Sequence, residues 1–75
     1  MIFNVDPKHT ILTGVLNSGD TTLTFTNKAI NDNSLISIYT NVYGVSPISQ
    51  TQENNTLTLV FDSQSTDITV KVEVF

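Results

Sequence analysis

Ser34-Leu35-Ile36-Ser37-Ile38-Tyr39-Thr40-Asn41-Val42-Tyr43-Gly44-Val45-Ser46-Pro47 is the longest apolar-rich run of the chain, and it holds both tyrosines. Read at strand period, Ile36, Ile38, Thr40 and Val42 share one face, which reads as core. Leu35, Ser37, Tyr39, Asn41, Tyr43 and Val45 share the other, where polar groups alternate with two aromatic rings. This run is expected to be the central strand around which the others assemble. The period-2 pattern makes the protein all-β.

The flanking segments repeat the pattern. Residues 68–75 carry Ile68, Val70, Val72 and Val74 on one face and Thr69, Lys71 and Glu73 on the other. Residues 21–26 point Leu23 and Phe25 inward between threonines. Residues 48–53 and 56–61 read as a hairpin closed by Asn54-Asn55, since asparagine tolerates the positive φ of a type I′ turn. That register sets Gln52 opposite Leu57 and Gln50 opposite Leu59, with Leu57, Leu59 and Phe61 facing the core. The turn chemistry alone makes Asn55→Gly neutral or mildly stabilising.

Residues 2–5 read as a short edge strand ended by Asp6-Pro7, and residues 8–16 as a further strand. In the latter, Gly14 marks a bulge or a close backbone approach. Asn17-Ser18-Gly19-Asp20 is a turn. Residues 26–30 make one helical turn capped by Thr26 or Asn27, with Ile30 plugging an end of the core. The expected architecture is a single domain over residues 1–75, an antiparallel β-sandwich or flattened barrel of six to seven short strands. Its expected core is Leu23, Phe25, Ile36, Ile38, Leu57, Leu59, Phe61, Ile68, Val70, Val72 and Val74.

Composition narrows the function. A chain of 75 residues buries only about 60–65% of its unfolded surface, so its core is thin. Such domains are usually stapled by disulfides, metal or oligomerisation; here there is no cysteine and a single histidine, which leaves oligomerisation or docking. Three lysines, no arginine and a net charge of −4 disfavour nucleic acid and anionic membranes as partners. The start, Met1-Ile2-Phe3-Asn4-Val5-Asp6-Pro7, has neither the basic region nor the apolar stretch of a signal peptide. Polarity is carried by Thr, Asn and Ser in place of charge, as on particle, adhesin and lectin-like surfaces.

Chemistry-bearing constellations are missing from the text. His9 has no second histidine or cysteine with which to form a dyad or metal shell, and it reads as a surface residue. Asp62 and Asp67 bracket a polar loop and read as solvated acids. Asn31-Asp32-Asn33 lacks the glycine and downstream glutamate of a calcium loop. No phosphate-binding glycine loop or nucleophile elbow occurs. No enzyme activity, cofactor or metal is therefore expected. The candidate contact residues are Tyr39 and Tyr43, and after them Thr69, Lys71 and Glu73 on the last strand. The tyrosines read equally well as a second half of the core.

The run Ile38-Tyr39-Thr40-Asn41-Val42-Tyr43-Gly44-Val45-Ser46-Pro47 carries a resemblance. With Thr21-Thr22-Leu23-Thr24-Phe25, Thr56-Leu57-Thr58-Leu59-Val60-Phe61 and Val70-Lys71-Val72-Glu73-Val74, it resembles a small β-domain of virion proteins from tailed phages and prophages of Gram-positive bacteria. The resemblance spans residues 16–75, with Asn41 where members often carry Asp and Asn55 where they carry Gly. It implies a structural, binding role without catalytic residues. The domain is expected to be the whole protein. The role expected is then a capsid decoration (cement) protein, assembled in the host cytoplasm onto the virion. It would bind the major capsid protein as a homo-oligomer such as a trimer. The alternative is a tail or baseplate module that binds a host-surface glycan or receptor.

Overall fold

In the last strand a small polar or charged residue follows every aliphatic one, so one side must leave water while the other stays in it. The structure, a computed structural model, describes residues 10–75 and bears this out. In order, the strands are β1 (Thr10–Leu16), β2 (Thr22–Thr26), β3 (Ile36–Thr40), β4 (Ser49–Glu53), β5 (Thr56–Val60) and β6 (Ile68–Val74). They form two three-stranded antiparallel sheets, β1-β6-β3 and β2-β5-β4, whose inner faces meet in one core. The fold is an all-β sandwich, with no helix among the described residues. The expected strand at residues 2–5, together with Pro7, Lys8 and His9, lies outside the described residues.

The middle of each sheet supplies most of the core. Val70, Val72, Val74 and Ile68 of β6, with Leu57 and Leu59 of β5 and the adjoining Phe61, are all buried. Fully burying such side chains contributes about 1.5–3 kcal/mol each, which makes these two strands the energetic spine. Leu16 and Ile30 seal the core and are equally buried. Ile30 arrives there on a hydrogen-bonded turn, its N–H donating to Asn27 O at 3.0 Å while Asn27 Oδ1 accepts the Ala29 N–H at 2.8 Å. The expected helical turn is thus a single non-helical turn, closed by the Asn27 carbonyl and side chain.

The hairpin between β4 and β5 has the expected register, with Gln52 opposite Leu57 and Gln50 opposite Leu59. Asn54 (φ 50°) and Asn55 (φ 65°) both adopt the left-handed conformation that a type I′ turn requires. In the 17–20 turn the Asp20 N–H donates to Asn17 O at 2.9 Å, and Gly19 takes the positive φ of 87°.

Three expectations are corrected. The 34–47 run is not the centre of the fold: β3 lies at a sheet edge, and β6 separates it from β1. Burial accordingly falls off, and Ile36 and Ile38 are only partly buried. Leu23, expected in the core, is likewise only partly buried. The strand also ends at Thr40, so Val42 is exposed and not on a core face. Thr40 itself explains the stop. Its Oγ1 reaches the carbonyls of Val42 (3.1 Å) and Val45 (2.8 Å), offering the backbone a local alternative to the ladder.

Candidate interaction surface

Antiparallel register decides which exposed side chains become neighbours. On the outer face of the β1-β6-β3 sheet, Tyr39 of β3 stands directly opposite Lys71 of β6, and Ser37 opposite Glu73. On the other flank of β6, Ile11, Thr13 and Val15 of β1 stand opposite Glu73, Lys71 and Thr69. Two sets that look separate in the sequence, Tyr39 and the Thr69/Lys71/Glu73 series, therefore occupy one surface.

Their side chains interact. Lys71 Nζ sits over the Tyr39 ring, 5.8 Å from its centroid. At an exposed site this is worth about 0.5–1 kcal/mol. Glu73 stands diagonally across from Tyr39 on the neighbouring strand. Hydrogen bonding toward the Glu73 carboxylate, then its negative charge and desolvation, push the Tyr39 phenol above its ordinary value, while Ser37 pulls the other way. The ring is 48% exposed, so Tyr39 is no part of the core.

Around this set lie exposed apolar side chains with no assigned role in the sequence reading: Ile11, Val15, Leu35 and Phe75. Leu35 and Phe75 extend the β3–β6 pairing, Phe75 N–H donating to Leu35 O at 2.8 Å. The odd-numbered positions of the 10–16 strand were a legible signal for Ile11 and Val15. What they would adjoin was not legible. The opposite sheet presents a different exterior: Thr22, Thr24, Thr26, Thr51, Thr56 and Thr58 stand in register across β2, β5 and β4.

Tyr43 departs from the expectation that it shares a strand with Tyr39. It lies beyond β3, on a turn closed by the Val45 N–H to Val42 O bond (3.2 Å), with Gly44 at φ 85°. Asn41 anchors that turn to β6: its N–H donates to Thr69 O (3.1 Å) and its Oδ1 accepts the Thr69 N–H (2.9 Å). The turn is therefore held while the Tyr43 ring is wholly exposed. Val42 and Ile48, also exposed, belong to the same connection.

Two loop regions complete the polar surface. At the end of the sandwich where the β4–β5 turn lies, Asn31, Asp32, Asn33, Asn54 and Asn55 line an open depression of about 570 Å3. Its walls are stitched by Gln52 Nε2, which donates to Asn31 O (2.8 Å) and Ser34 O (2.9 Å). At the other end Asp67 Oδ1 accepts the Ser18 N–H at 2.8 Å, so this loop acid has a structural partner. Among the described residues no three His, Cys, Asp or Glu side chains lie close enough to hold a metal ion. No protein-family model, curated protein or solved structure matches the chain.

Proposed function

We propose that the chain is a non-enzymatic structural protein of a tailed-phage particle, a decoration protein that docks on the assembled capsid shell. The observation that carries this reading is Tyr43, a wholly exposed aromatic on a turn hydrogen-bonded into β6. A ring this exposed takes no part in the core. A rigid turn presents it at little entropic cost on binding, which is how aromatic anchors enter a partner's pocket. The partner is the major capsid protein, the place of action is the virion, and the protein acts there as a small oligomer.

Tyr43→Ser on purified particles tests the reading. The variant is expected to keep the melting temperature of the parent and to lose occupancy on the shell. Truncating an aromatic anchor costs about 2 kcal/mol or more, roughly thirtyfold in affinity. Normal occupancy would move the docking face away from this turn.

The depression lined by Asn31, Asp32, Asn33, Asn54 and Asn55 favours a second reading, a tail or baseplate module that binds host-surface carbohydrate. Neutral amides beside one carboxylate are suited to sugar hydroxyls. Electron microscopy that places the chain on the tail, with glycan binding lost in Asp32→Ala, would select this reading.

A further inference from the structure

We infer that the outer face of the β1-β6-β3 sheet is a self-association surface, and that its occupant is a second copy of this chain. The inference begins with charge. Of the side-chain carboxylates among the described residues only Glu73 lies on this face; Asp20, Asp32, Asp62 and Asp67 are in loops and Glu53 is on β4. Glu73 is balanced there by Lys71, two positions away on the same strand. Among the described residues the side-chain charges of this face thus balance, and the same face is where Ile11, Val15, Leu35, Tyr39 and Phe75 are exposed.

One positive and one negative charge, spaced two residues apart on the middle strand, make the face complementary to itself. A two-fold axis crossing β6 at Val72 sets Lys71 of one copy against Glu73 of the second, and Glu73 of the first against Lys71 of the second. Such contacts are the defining feature of an isologous interface. The same axis brings β1 over β1 and β3 over β3. Apolar side chains of the two copies then share one flank, and the tyrosines the other. The threonine exterior of the opposite sheet lacks such a pair, since its strands hold no lysine to set against Glu53.

Size sets the strength. Seven residues of β6 span about 24 Å and three strands about 14 Å. This footprint is smaller than the roughly 800 Å2 per partner of a standard stable interface, so association is expected to be weak and concentration-dependent. The inference rests on the docking reading for its biological setting. It is measured without particles, however, so loss of capsid binding in Tyr43→Ser leaves it untouched.

The experiment is sedimentation velocity of the full chain over a wide concentration range, with charge reversals. The parent is expected to associate as concentration rises. Lys71→Glu and Glu73→Lys should each weaken association by about tenfold or more, because each sets like charges against each other twice. The chain carrying both substitutions should regain association, and so should an equimolar mixture of the two single variants. Val15→Asp, which leaves Tyr39, Lys71 and Glu73 in place, should also weaken it. A parent that stays monomeric throughout overturns the inference. So do single variants that associate normally, or a mixture that fails to recover. Reversals that leave association intact but empty the capsid would give this face to the particle instead.

Discussion

The side-chain amide of Asn55 holds the backbone at Ile30: Nδ2 donates to Ile30 O at 2.8 Å, and to Lys28 O at 3.1 Å. The main chain adds a third tie, Asn27 N–H to Asn55 O at 2.9 Å. The residue that makes the hairpin turn thereby also fastens the loop that delivers Ile30 to the core.

This changes what glycine should do there. Asn55→Gly satisfies the turn's φ but loses two hydrogen bonds worth about 1 kcal/mol each, so it should destabilise the protein by about 1–2 kcal/mol. Turn chemistry alone forecasts the opposite sign. Asn54→Gly is the control, because among the described residues no hydrogen bond ties the Asn54 side chain to another segment. It should be neutral or slightly stabilising. Urea denaturation of the two variants decides the matter, and equal midpoints would show that the Asn55 amide contributes nothing.

Gly14 tells a similar story between the sheets. A Cβ placed on it would lie 3.1 Å from Phe25 Cε2 and 3.2 Å from Cζ. The strand runs through this position in unbroken register, Gly14 opposite Val70, so the glycine marks a close approach and not a bulge. Gly14→Val should overpack this contact and cost about 1–3 kcal/mol. Gly14→Ala needs the ring to move by only a few tenths of an ångström and should cost distinctly less. A valine variant as stable as the parent would mean that Phe25 yields freely.

The influence of Glu73 on Tyr39 should be visible as a titration. In Tyr43→Phe, Tyr39 is the remaining tyrosine, and its phenolate absorbance should appear at a pH above the ordinary 10.0. Adding Glu73→Gln removes the main cause and should bring the midpoint back down. A phenol with a raised value favours its neutral form in the fold. Its stabilising contribution is therefore complete below the ordinary tyrosine value and lost as pH rises through the shifted one. An unchanged midpoint on adding Glu73→Gln would dismiss the interaction.

Strand faces were legible in the sequence, and strand neighbours largely were not. Ile68, Val70, Val72 and Val74 declare their burial by alternation, and Asn54-Asn55 fixes the β4–β5 register because so few residues adopt two positive φ values in succession. Alternation says nothing about which strand lies beside which. The 34–47 run therefore looked central on apolar content, although its neighbour β6 holds the middle position. The end of β3 depended on the Thr40 hydroxyl, a local bond that no periodicity announces. The candidate surface shared this fate: Tyr39, Lys71 and Glu73 were each identified, but they became one site only through the β3–β6 register.

The position of β6 also sets a schedule for folding. Thr10 pairs with Val74, so almost the whole described chain lies between the two partners, and pairings this distant in sequence form slowly. Sheet β2-β5-β4 can assemble earlier, around a local hairpin. Strands β1 and β3 have no sheet to join until the strand between them has been synthesised. A growing or truncated polypeptide thus displays neither the Tyr39–Lys71 pair nor the neutral face around it. Copies proposed to meet through that face can do so only once β6 has paired with both β1 and β3.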